Sequence, residues 1–242
     1  MKKKFLLLLF IYMLPCIVFA SDDFEVLSED IKYFKTITHN VGCDLCSFND
    51  SLSESYEITK EEYEQQSSVS ERSTTIETTY KKMTTSILSV NSYYRYKVKL
   101  EWKNIPKVRS YDTIAIGFGA SVKNLGSPIF NEKYCVTNGN CYNVSGYVYS
   151  YIGRNGIGIT FSVPTGKLDS LEQTMYFDVQ KNTSSTIITQ YAYGDYAHAT
   201  KSVSLSKASD YTVTTGGINH SSDSITYYDE ISTARATWSG SW

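Results

Sequence analysis

Five cysteines and three histidines are the residues through which this 242-residue chain could most readily do chemistry. Cys135 and Cys141 bracket an Asn-Gly pair in the stretch EKYCVTNGNCYN, residues 132–143. If Thr137-Asn138-Gly139 is a three-residue hairpin loop with Gly139 left-handed, Val136 faces Asn140 and Cys135 faces Cys141. The spacing therefore predicts a disulfide across a hairpin tip. Closing so short a loop contributes about 2 kcal/mol, so the bond pins register more than it holds the fold. Cys43 and Cys46 would make a second bridge, in a tighter and more strained ring. The rival is a four-thiolate zinc site, but C-x5-C is a loose spacing and export favours disulfides. A redox C-x-x-C would need a βαβ context that the pattern does not supply. No metal site and no cofactor are expected.

His39, His198 and His220 carry the remaining imidazoles. The strongest candidate is His198, in YGDYAHATK, with Asp195 three residues earlier. On a strand those two side chains fall on opposite faces, unless the chain bends at Gly194. Arg109 and Asp112 flank a corner after Pro106 and are expected to pair across a turn, as a structural pair or a ligand site. Asp112, Glu172 and Asp178 are the carboxylates available for the paired chemistry of a glycoside hydrolase. There is no G-x-S-x-G elbow and no H-E-x-x-H. Residues 153–158, G-x-x-G-x-G, lie between two strands and read as a hairpin turn.

Twenty-one tyrosines are the most unusual feature of the composition. Tyr147, Tyr149 and Tyr151 alternate with Val148 and Ile152, beside a turn that carries Arg154 at its tip. If the aliphatic set lines the core, a tyrosine ladder points outward. Such a surface suits a polar, semi-rigid ligand such as a cell-wall glycan, or another surface protein.

The elements that must position these residues are strands. In YYRYKVKLEWK, residues 93–103, Tyr94, Tyr96, Val98, Leu100 and Trp102 share one face, and Arg95, Lys97, Lys99, Glu101 and Lys103 share the other. That alternation demands a half-buried strand. Residues 73–90 read as a long exposed or edge strand. A strand from about Tyr111 follows, then strands at 142–152, 157–163, 173–179, 186–193, 202–205, 211–214 and 225–228. Turn residues separate most of them. The expected fold is all-β: an antiparallel β-sandwich, or a related barrel, over residues 73–242. Residues 21–72 are expected to form a polar, irregular N-terminal arm, with a short helix capped by Thr59 in the capping box Thr59-Lys60-Glu61-Glu62.

Residues 1–20 read as a secretory signal: three lysines, an apolar run too short and too proline-broken to span, then Val18-Phe19-Ala20. Without them the balance is 20 Lys+Arg against 25 Asp+Glu, a net charge of −5. Such a surface does not attract nucleic acid by bulk charge. No later stretch is apolar enough to span a bilayer, so a secreted protein with no stable membrane span is expected.

At residues 102–112, WKNIPKVRSYD, and 196–206, YAHATKSVSLS, the chain resembles secreted, uncharacterised proteins of Gram-positive bacteria. The likeness covers about the last two-thirds of the chain. It implies an exported bacterial protein and supplies no catalytic residue. Composition and resemblance together favour a non-catalytic, β-rich binding or surface protein. The alternatives are a β-pore-forming protein that uses residues 73–103 as an inserting hairpin, and a secreted hydrolase.

Overall fold

The computed structural model describes residues 24–40, 51–66, 76–137, 139–229 and 231–242. The signal sequence expected at residues 1–20 and the expected Cys43–Cys46 bridge lie outside them. Two antiparallel sheets face each other across one core. The larger holds β1 (Glu25–Asn40), β2 (Ser51–Ile58), β3 (Ile76–Val90), β4 (Tyr93–Trp102), β6 (Val122–Asn124), β7 (Ile129–Val136), β8 (Cys141–Ser145) and β11 (Leu168–Lys181). Its order is β2-β1-β3-β4-β11-β7-β8, with β6 also paired to β11. The smaller holds β5 (Tyr111–Phe118), β9 (Tyr149–Gly153), β10 (Gly156–Ser162), β12 (Thr189–Ala197) and β15 (Ser232–Ser239), in the order β15-β12-β5-β10-β9. The hairpin of β13 (Tyr211–Thr214) and β14 (Gly217–His220) forms a third, two-stranded sheet. Among the described residues, three short helices complete the set: α1 (Lys60–Gln65), α2 (Leu205–Ala208) and α3 (Ser222–Ile225).

The alternation in β4 works as its sequence demands. Val98 and Leu100 are fully buried, Trp102 nearly so, and all three join Met83, Ile114, Ile116, Ile157 and Met175 in the main core. Lys97, Lys99 and Glu101 face the other way. They are half-buried rather than free, because Lys99 lies across the sheet onto Glu101 and Glu172, and Lys82 onto Glu101. Strand β5 is buried on both faces, since one faces the main core and the hairpin β13–β14 packs on the other through Ala115, Tyr211, Val213 and Ile218.

Several elements differ from what the sequence predicts. Residues 25–40, expected to be irregular, form a 16-residue strand paired along its length with β3. Polar and apolar residues mix on both faces, and among the described side chains only Phe34 and Thr36 are buried, so no clean period-2 alternation surfaces. That strand also converts β3 from an edge into an interior strand, bonded to β1 and β4. Side chains of β1 cap the rim of the smaller sheet as well: Asp30 accepts from Arg235 N–H and Ser28 from Thr237 N–H. Residues 142–152 are two strands, not one. Gly146, at φ 123°, lets the chain leave the larger sheet and enter the smaller. Residues 202–205 and 225–228 are turns and short helices instead of strands. Strands β7 and β15 go unannounced. In β15 the inward residues are Ser232, Ala234 and Ala236, too small to mark a strand by hydrophobicity.

The helix predicted at Thr59 is present. Thr59 Oγ1 accepts from Glu62 N–H, and the Glu62 carboxylate accepts from Thr59 N–H. The cysteine hairpin is also as the spacing predicts. Cys135 and Cys141 are register partners joined by a disulfide, Val136 N–H donates to Asn140, and Gly139 adopts φ 92°. The double variant Cys135→Ser/Cys141→Ser should lose about 2 kcal/mol in urea melts, with the fold retained.

Candidate functional site

The residues with catalytic chemistry do converge, but indoors. Lys81 lies on β3 directly across from Trp102 of β4, so the two share the inward face. Asp112 lies at the start of β5, Tyr196 near the end of β12, His198 just beyond it, and Asp229 in the segment that leads into β15. The Lys81 and Asp229 side chains meet at 2.9 Å, with exposures of 1% and 0%. The His198 Nδ1 is 2.9 Å from Asp112 Oδ2, which also accepts from the Tyr196 hydroxyl. The other Asp112 oxygen accepts from Ala199 N–H at 2.9 Å. The second Asp229 oxygen accepts from His198 N–H at 2.8 Å. The Lys81 ammonium sits 5.2 Å above the Tyr196 ring and 5.5 Å above that of Trp102, whose edge meets His198. Burial pulls the His198 pKa down, but the charge and hydrogen bond of Asp112, with the charge of Asp229, raise it overall. Lys81 and the His198 ring therefore face Asp229 and Asp112 in a buried pocket beside the Trp102 and Tyr196 rings.

A hydrogen-bonded chain continues from Trp102 through Gln173 to Glu132. Burial, aided by the Asp112 charge, pushes the Glu132 carboxyl up to about 7 despite a hydrogen bond from Gln173. The folded state thus holds this proton more tightly than the unfolded chain. Its contribution to stability is fullest below pH 4.5 and is lost as pH rises to about 7. Glu132→Gln should flatten that part of the stability profile and raise the melting temperature above pH 7, as thermal melts across the range would show.

The arrangement fastens strands more readily than it turns over a substrate. Asp112 is fully buried, and the side chains of Lys81, Asp229 and His198 leave no open approach. Among the described residues, no group of three or more His, Cys, Asp or Glu is placed to hold a metal ion.

The other sequence candidates are scattered. Arg109 does not pair with Asp112. Its guanidinium turns to the carbonyls of Pro106, Pro164 and Gly166, while both Asp112 oxygens are used inside. Glu172 and Asp178 lie on the outer face of β11, bound to Lys99 and Arg95, so neither joins Asp112 as a carboxylate pair. Asp195 is not the partner of His198; it accepts from Ile218 N–H of the third hairpin. Arg154 is exposed at the β9–β10 turn, as predicted.

The expected tyrosine ladder does not form, although Tyr149 itself is exposed. Val148 and Ile152, expected in the core, are 48% and 49% exposed. Strand β9 is the rim of its sheet, where an inward-directed side chain has nothing opposite to cover it. Tyr147 packs on the main core instead, and Tyr151 packs under the β13–β14 hairpin. Tyr149 meets the Tyr211 ring edge-on. The three do not form a common outward face.

An open recess of about 510 Å³ lies on the outer face of the larger sheet. Its lining includes Arg95, Lys97, Lys99 and Lys133 against a single carboxylate, Glu172, with Tyr176, Asn131 and Asn143 around them. Arg95 and Lys99 are engaged by Asp178 and Glu172. Among the described residues Lys97 and Lys133 have no ion-pair partner. Burial, then the charge of Lys99, lowers the Lys97 pKa, as expected for a crowded cation. The sequence shows Lys97 only as the polar side of a strand and gives no reading of Lys133.

No protein-family model and no curated protein matches the chain. Among solved structures, the full-length major pilin SpaD from Corynebacterium diphtheriae aligns at 9% identity and a TM-score of 0.31. The alignment covers 69% of this chain and 54% of that one, a likeness too slight to argue from.

Proposed function

We propose that the protein is an exported, non-catalytic binding protein that holds an anionic cell-wall polymer against the outer face of the larger sheet. The observation that supports this reading best is the excess of cations in the recess. An anion seated beside Lys97 and Lys133 would gain their unpaired charge and relieve their mutual repulsion. The recess is open and partly polar, which suits a chain-like ligand that passes across it, and Tyr176 offers a ring for a sugar face. The sealing of the His198 cluster favours this reading over a hydrolase. Of the alternative inserting element, residues 73–103, strands β3 and β4 lie in the middle of the larger sheet and would have to break their pairing with β1 and β11 to enter a bilayer.

The test is retention of the purified protein on isolated Gram-positive cell walls, against walls stripped of their anionic polymers. Retention should fall with added salt and with stripping, and Lys97→Glu/Lys133→Glu should lose at least roughly tenfold with an unchanged melting temperature. Equal retention on both kinds of wall, or by both proteins, would contradict the proposal.

A further inference from the structure

We propose that Lys81 and Asp229 condense to an intramolecular amide that ties β3 covalently to the segment entering β15. Three observations point there. The amine and the carboxyl are 148 residues apart in sequence yet in contact at 2.9 Å. Both are sealed from solvent, so the amine is presented to one carbon and to no competing water. The carboxyl is already oriented for attack, because His198 N–H holds Oδ1 at 2.8 Å and leaves Oδ2 toward Lys81.

An ion pair in such a place is expensive to desolvate, and its mutual attraction seldom repays the full cost. An amide carries no net charge and can keep the hydrogen bond from His198. Condensation therefore removes the penalty and releases one water to bulk. Holding the two groups in contact supplies the proximity that free amines and acids lack.

The step balances without another reagent. One proton moves from the Lys81 ammonium to Oδ2 along their hydrogen bond, giving an amine and a carboxylic acid. The Nζ lone pair then attacks Cγ, and negative charge develops on Oδ1, where His198 N–H stabilises it. A second proton passes from nitrogen to the departing hydroxyl. The Cγ–Oδ2 bond breaks, water leaves, and the C=O bond re-forms. Lys81 and Asp229 are the reacting groups, and the His198 amide touches the reacting oxygen. Asp112 is a positioning residue, since it fixes the His198 ring and the neighbouring Ala199 amide. The Trp102 and Tyr196 rings exclude water from Nζ.

The test is the mass of the purified full chain, reduced and denatured, beside that of Lys81→Arg expressed in the same way. Once the Lys-to-Arg difference is allowed for, the wild-type chain should be lighter by one water. Tryptic digestion of the wild type should give a branched peptide that contains both Lys81 and Asp229, absent from Lys81→Arg and from Asp229→Ala. If the variants do not accumulate, the wild-type digest decides alone. Recovery of Lys81 and Asp229 in separate linear peptides at full sequence mass would overturn the proposal. So would a water loss confined to a linear peptide around Asp229.

Discussion

Asp112→Ala is expected to destabilise the fold by about 3–5 kcal/mol. The carboxylate receives the Tyr196 hydroxyl, the His198 ring and the Ala199 amide, all buried. Removing it leaves three groups without an acceptor and takes away the neighbour that raises the His198 pKa. Asp112→Asn is expected to be milder, because the side-chain oxygen can still accept one bond while the amide nitrogen opposes another donor. Urea melts of both variants at neutral pH would order them. An Asp112→Ala chain as stable as the wild type would mean that the cluster carries no structural weight.

Leu100→Ala is expected to cost about 2–5 kcal/mol, while Lys99→Ala, one residue away, should cost no more than about 1 kcal/mol. Leu100 is fully buried between the sheets, so truncation removes apolar contacts and leaves a cavity. Lys99 lies on the other face with roughly a quarter of its side chain exposed, where its bonds to Glu101 and Glu172 are partly replaced by water. The contrast is a direct reading of strand register, since a one-residue slip would exchange the two effects. Equal shifts in denaturant midpoint would refute the register.

What the sequence made legible, and what it hid, follows from which residues carry a periodic signal. Strand β4 announces itself because large apolar residues alternate with charges. The cysteine hairpin does so because turn chemistry and cysteine spacing agree. Strand β1 is silent because its neighbours supply its pairing, not its own hydrophobicity. Strand β15 is silent because alanines face its core. The direction of residues 147–152 is hidden for a different reason. Val and Ile point inward only if a second sheet lies opposite, and at a sheet rim none does.

The buried cluster was half legible. Asp112 and His198 stand out as candidates, but their pairing joins β5 to the end of β12 and leaves no local spacing. Lys81 shares parity with Met83 and Ile87, and that alone places its side chain toward the core. The inference requires β3 to have a buried face, which follows only once it is known to be interior. Asp229 lies in a non-strand segment and had no such signal.

The His198 cluster is a sealed fastening between strands, its side chains buried from solvent. Diethyl pyrocarbonate labelling of the native protein, mapped by mass spectrometry, checks that seal. His198 should stay unmodified while the chain is folded and should react once it is unfolded in urea. Modification of His198 in the folded protein, at the rate of a free imidazole, would contradict the claim.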